Sequence, residues 1–316
     1  MAMNRITDDP LFPIVARFIF PERTVEESIR HVRGISTIRG FQLEVMYRAN
    51  QRIIQETTSG FACSGIENID PSRPHLFISN HRDIVLDASL LQNALVDAGF
   101  DTTEITFGAN LMKGNLVVNV GKSNKMFKVE RPGIDMRSFF AASRHLSEYI
   151  YYTILGKRQS IWIAQRNGRT KDGIDRTDPG IINMFTSGSN LSEIQALEQL
   201  SLQPVCVSYE WEPCDVLKAI ELCRREAGPY VKVPDEDFNS IKTGLLQPKG
   251  HVRFHICEAL TPDDLASLPA HKASAFRKGV AELVDRRICQ SYALFPNNYI
   301  AHDMLHSSEK YSSFYR

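Results

Sequence analysis

A chain of 316 residues can bury a substantial core, either in one large domain or in a small one beside a larger. Its composition, 43% hydrophobic and 23% charged, is ordinary for a globular protein, and 37 basic against 37 acidic side chains leave no net charge to hold a nucleic acid. No apolar run approaches the roughly 20 residues that span a bilayer, so the chain is not expected to cross a membrane.

MAMNRITDDP, at the start, carries acids where a signal peptide would have a basic and then an apolar stretch, so none is expected. LFPIVARFIF (11–20) follows, apolar and aromatic around Arg17, and reads either as an interfacial anchor or as a segment packed on its own core. TVEESIRHVRGI places acids early and bases late, as a helix dipole prefers. STIRGFQLEVMYRANQRIIQETT sets Ile38, Phe41, Leu43, Val45, Met46, Ile53 and Ile54 along one broad helical face, with Gly60 as its stop. Residues 1–60 are therefore expected to form a helical N-terminal section with a possible membrane-surface contact, and residues 61–316 a separate α/β domain.

Past that point short apolar runs alternate with helical stretches. HLFIS (75–79), EITFGA (104–109), SIWIAQ (160–165), QPVCVSYEW (203–211) and HVRFHICEAL (251–260) are the expected strands. Helices are expected through ASLLQNALVDAG with Gly99 as its stop, over residues 136–155, and broadly from Leu265 to Cys289 after the N-cap signal TPDD. The fold class is α/β, a mixed and mostly parallel central sheet flanked by helices. Six cysteines (Cys63, Cys206, Cys214, Cys223, Cys257 and Cys289) form no CxxC pair and no zinc spacing, which fits reduced thiols and no metal site.

The chemistry concentrates in three segments that follow expected strands. NHRDIVLD (80–87) places His81 and Asp87 where a strand turns into a helix. Histidine is the usual general base near neutral pH, and a carboxylate on its other nitrogen fixes the tautomer and stabilises the imidazolium. Residues six apart diverge by about 120° on one helix, so His81 must sit in the turn with Asp87 reaching back to it. Asp83 is the alternative partner, or a helix cap. GANLMKGNLVVNVGKSNKMFKVER (108–131) combines three glycines with Lys113, Lys122, Lys125, Lys128 and Arg131, a pattern suited to phosphate. WIAQRNGRTKDGIDRTDPG (162–180) repeats it, with Arg166, Arg169, Lys171 and Arg176 around Gly168 and Gly173. Among the other histidines, His145, His251, His255, His302 and His306 read as structural or surface residues.

These segments, in this order over about residues 75–210, resemble the blocks of the glycerolipid acyltransferase family, the glycerol-phosphate and lysophosphatidic-acid acyltransferases. NHRDIVLD is similar to the His-x4-Asp block, and 108–131, with Phe127 and Arg131, to the Gly…Phe-x-x-Arg block. AQRNGRTKDG and QPVCVSYE are similar to the third and fourth. Three departures stand out: five residues separate His81 from Asp87, Phe127 and Arg131 are one residue too far apart, and Asn167 takes the place of a glutamate, with Arg169 directly after Gly168.

The resemblance implies acyl transfer from a thioester, acyl-CoA or acyl carrier protein, used as a co-substrate with no bound cofactor and no metal. His81 would be the base and Asp87 its orienting acid. Lys122, Arg131, Arg166 and Arg169 would hold an acceptor phosphate, and the backbone near Asn167 and Gly168 the oxyanion. The expected acceptor is lysophosphatidic acid, with glycerol 3-phosphate or a phosphate-free lyso-lipid as alternatives. The implied location is cytoplasmic, at the inner surface of a membrane. FFAASRHLSEYIYYTIL is expected either to line an acyl tunnel or to be core helix. A hydrolase is disfavoured by the lack of a GxSxG elbow, and a P-loop by the lack of GxxxxGK[ST]. An inactive lipid-binding relative is the competing reading.

Overall fold

The computed structural model describes residues 2–112, 114–129, 135–269 and 271–316. The sheet these residues build has seven strands: β1 (Thr58–Ser64), β2 (Leu76–Ser79), β3 (Glu104–Gly108), β4 (Met126–Val129), β5 (Ile161–Ala164), β6 (Leu202–Tyr209) and β7 (Gly250–Ile256). Their order is β1-β7-β6-β2-β5-β3-β4. From β6 to β4 all neighbours are parallel, whereas β7 runs antiparallel to β6 and carries β1 parallel beside it. The fold is thus a mixed, mostly parallel α/β sheet flanked by helices.

Side-chain alternation splits the core into two layers. Leu76 and Ile78 of β2 join Ile161, Ile163 and Leu202 on one face, under the helices Met136–Tyr151, Pro179–Thr186 and Ala273–Ser291. Phe77, Trp162, Val205 and Val207 point to the other, under Tyr47–Thr57 and Leu86–Asp97. Every residue of β2 and β6 is buried, because both strands are central and covered on both sides.

Two strands were not anticipated. β1 reads TSGFACS and β4 reads MFKV, and both lie at sheet edges with only part of their side chains buried, so neither forms an apolar run. Gly60 is not the helix stop; the helix ends at Thr57 and Gly60 lies within β1. The stretch 265–289 is two helices, Pro262–Ala266 and Ala273–Ser291, and Thr261 caps the first through a box with Asp264.

The N-terminal helices pack Ile6, Phe12, Ala16, Ile19, Phe20, Val32, Phe41 and Val45 together and against Leu116 and Val120. A π-helical turn at Gln42–Met46 rotates the expected apolar stripe. Ile38 is left exposed while Gln42 and Asn50 are buried, the former bonded to Asn124 and Thr102, the latter to Ser89 and Asn93. In LFPIVARFIF, Phe12, Ala16, Ile19 and Phe20 face this core, whereas Leu11 and Ile14 point outward. Among the described residues no helix is long and apolar enough to cross a membrane.

Candidate active site

Because β2, β3, β4 and β5 are parallel, the chain leaves all four at the same edge of the sheet, where such folds place their ligands. A cavity of about 370 Å³ opens there. Phe107, Val129, Leu146, Trp162, Ile163 and Met184 make it largely apolar. His81, Thr106, Ser143, Arg166, Asn167 and Asn183 supply polar groups on its wall. That mixture, apolar with a few convergent polar atoms, is typical of a small-molecule site.

His81 sits in the turn after β2, and Asp87 lies in the first turn of the helix Leu86–Asp97. The His81 Nδ1 is 3.0 Å from the Asp87 Oδ2. A carboxylate only accepts, so Nδ1 carries the proton and Nε2 keeps its lone pair. Asp87 is fully buried, and its Oδ2 also accepts the backbone N–H groups of Arg82 (2.7 Å) and Asp83 (2.9 Å). The turn therefore wraps its amides around the acid that its own histidine needs. On the other side the edge of the His81 ring meets Trp162, whose indole N–H donates to the Ser79 hydroxyl.

Asp83 has a different place. Its Oδ1 accepts from the N–H groups of Val85 and Leu86, both at 2.8 Å, which caps the helix that carries Asp87. Burial, with the Asp87 charge second, pushes its pKa above the usual carboxylate range.

Residues distant in sequence hold the turn. Asn80 donates to Val207 O and accepts the Val207 N–H, bonding to β6 as if it were a strand neighbour. The Arg82 guanidinium is buried and reaches Asp175, Gly173 O and Glu212, with its face on the Tyr292 ring. Lys218, itself buried, donates to Arg82 O and to Glu212. From the basic loop, Thr170 N–H donates to His81 O at 2.9 Å, tying the two segments directly.

The basic residues separate in space. Arg166, Asn167 and Gly168 line the cavity. Gly168 holds φ +76°, the left-handed region that favours glycine. Lys122 and Arg169 do not line it. Lys122 is exposed on the helix Asn115–Ser123, and Arg169 is buried, with its charge acting on Asp83 and the Cys214 thiol. Lys125 is held by Thr102 and Gln159. Arg131 and Lys113 lie outside the described residues. The aromatic helix Met136–Tyr151 does contribute to the cavity, through Phe139, Phe140, Ala142, Ser143 and Leu146.

Tyr209 is the site residue the sequence did not announce. It ends β6 inside QPVCVSYE, and its hydroxyl donates to the Asp87 Oδ1 at 3.0 Å. Its signal was a polar tip at the end of a fully buried strand. Lys249 was equally silent: its buried amino group donates to Thr57, Leu245 O and Gln247 O, and burial lowers its pKa to about 8.

No protein-family model matches the chain, and no curated protein matches it significantly in sequence. Among solved structures it is similar to the 1-acyl-sn-glycerophosphate (LPA) acyltransferase PlsC from Thermotoga maritima, with 16% sequence identity, a TM-score of 0.43 and 92% of each chain covered.

Proposed function

We propose that this chain is an acyltransferase. It moves a fatty acyl group from an acyl thioester, acyl-CoA or acyl carrier protein, to the hydroxyl of a glycerol-phosphate-type acceptor, lysophosphatidic acid foremost, in phospholipid synthesis. The observation that carries this reading is a histidine on the wall of an apolar cavity whose second nitrogen is bonded to a fully buried carboxylate.

The His81 Nε2 takes the proton of the acceptor hydroxyl as its oxygen attacks the thioester carbonyl. Asp87 stabilises the imidazolium that forms, the role of the acid in a triad. The carbonyl oxygen, now an oxyanion, is met by the N–H groups of Asn167 and Gly168, which make no hydrogen bond among the described residues. Collapse breaks the carbon–sulfur bond, and the leaving thiolate recovers the proton from Nε2. Arg166 binds the acceptor phosphate, while the apolar wall from Phe107 to Met184 receives the acyl chain. Holding both reactants in one cavity makes the transfer effectively intramolecular. The exposed Leu11 and Ile14 of the N-terminal section rest on the membrane, on its cytoplasmic side, where acceptor and product reside.

The test is thiol release from acyl-CoA and from acyl carrier protein, each with lysophosphatidic acid or glycerol 3-phosphate. Acceptor-dependent release that His81→Ala abolishes is expected. Lipid binding without thiol release from any pair would move the chain to the inactive, lipid-binding class.

A further inference from the structure

Asp87, the acid of the dyad, is fully buried, a few residues from a second buried carboxylate, Asp83. A buried charge persists only where donors replace its water. Its Oδ2 has three donors: His81 Nδ1 and the N–H groups of Arg82 and Asp83. Its Oδ1 has one among the described residues, the Tyr209 hydroxyl. A phenol facing a carboxylate must donate, and Tyr209 is not free to ionise: burial, then the Asp87 and Asp83 charges, hold its proton far above the ordinary range.

We propose that Tyr209 is a positioning residue that sets the basicity of His81 by holding the far oxygen of Asp87. This rests on the acyl-transfer reading only for what the base is used on. Without its proton the His81–Asp87 pair carries one net negative charge; with it, none. A hydrogen bond to Oδ1 stabilises the charged form more than the neutral one, and so lowers the pKa of the pair as a unit. Removing that bond raises it. The other charged groups facing this cluster are Asp83, Glu212, Arg82, Lys218, Arg169 and Lys249, and the substitution leaves all of them in place. Tyr209 does not line the cavity, so its substitution is expected to leave substrate binding unchanged.

Tyr209→Phe keeps the ring and deletes the donor. The expected result is an acid limb of kcat/KM moved to higher pH by about one unit, a tenfold change in active base at that limb, with KM for the acceptor unchanged. Titration of the ¹⁵N-labelled His81 ring by NMR shows the same upward shift without any substrate. Fluorotyrosine incorporated at position 209, a stronger donor of nearly the same shape, shifts both in the opposite direction, which a packing role cannot do. Loss of rate with an unmoved limb and an unmoved His81 titration would overturn the proposal. If the wild-type protein transfers no acyl group but its His81 titration responds to both variants, the positioning role stands and the reaction assignment falls.

Discussion

Asp87→Asn measures what the charge of the orienting acid is worth. In many such dyads this change is severe because the amide turns its NH₂ towards the histidine and forces the wrong tautomer, at a cost of about 10⁴ in kcat. Here the surroundings forbid that rotation. Two backbone N–H groups, of Arg82 and Asp83, point at the Oδ2 position, so the carboxamide oxygen must occupy it. The amide nitrogen then faces the Tyr209 oxygen, which can accept. His81 keeps its Nδ1–H donor role and only the charge is lost. Opposite charges about 4 Å apart interact by about 4 kcal/mol at an effective dielectric near 20, and the amide dipole retains a part of that. With about 1.4 kcal/mol per decade, kcat is expected to fall roughly 10²- to 10³-fold. KM should stay near wild type, while the melting temperature should fall by a few degrees, since the buried Tyr209 O–H, now facing the amide nitrogen, loses its acceptor. Steady-state thiol release and calorimetry on purified protein decide it. A loss of 10⁴ or more with an intact fold would mean that the tautomer had switched, and that the two amides do not govern the carboxamide as argued.

Arg166→Gln should raise KM for a phosphorylated acceptor roughly 10- to 100-fold, the worth of one charge-assisted hydrogen bond, and leave KM for the acyl donor unchanged; equal effects on both would move the phosphate site elsewhere. Asp83→Asn should keep kcat within about threefold, because an amide oxygen caps Val85 and Leu86 as well as a carboxylate does. The folded pKa of Asp83 lies above its unfolded value, so the folded state holds that proton more tightly. Stability relative to the variant is therefore lost as pH rises from the ordinary carboxylate range through the folded value, and urea unfolding of both proteins across that range should show the difference; a pH-independent difference would refute it. Ile14→Asp, on the outward face of the N-terminal helix, should weaken sedimentation with anionic vesicles while sparing turnover of a short-chain, water-soluble acceptor.

The parts of this fold visible in the sequence are the strands with a buried face. β2, β3, β5 and β6 announce themselves as apolar runs and β7 by alternation of buried and polar residues, whereas β1 and β4 sit at the edges and carry mixed residues. The turn at 80–87 was legible because spacing alone placed His81 in the loop and its acid on the helix. Which aspartate met it was not, since Asp83 and Asp87 differ in direction and not in chemistry. Cation counts were the weakest guide. Arg166 and Arg169 are three residues apart, yet one lines the cavity and the other is buried outside its lining. Tyr209 and Arg82 act through partners more than 90 residues away, across contacts that no local pattern encodes.

The burial of Asp87 also fixes the route a proton can take. Nδ1 of His81 is closed off by a carboxylate with no solvent contact, so a proton taken up at Nε2 has no second door. It cannot be relayed through the protein to bulk water on the far side. On the acyl-transfer reading, it must leave by the atom through which it arrived, and the thiolate expelled beside it is its recipient. Each turnover then resets the base as its by-product departs, and a slow-leaving thiol would stall the next deprotonation as well as the release step.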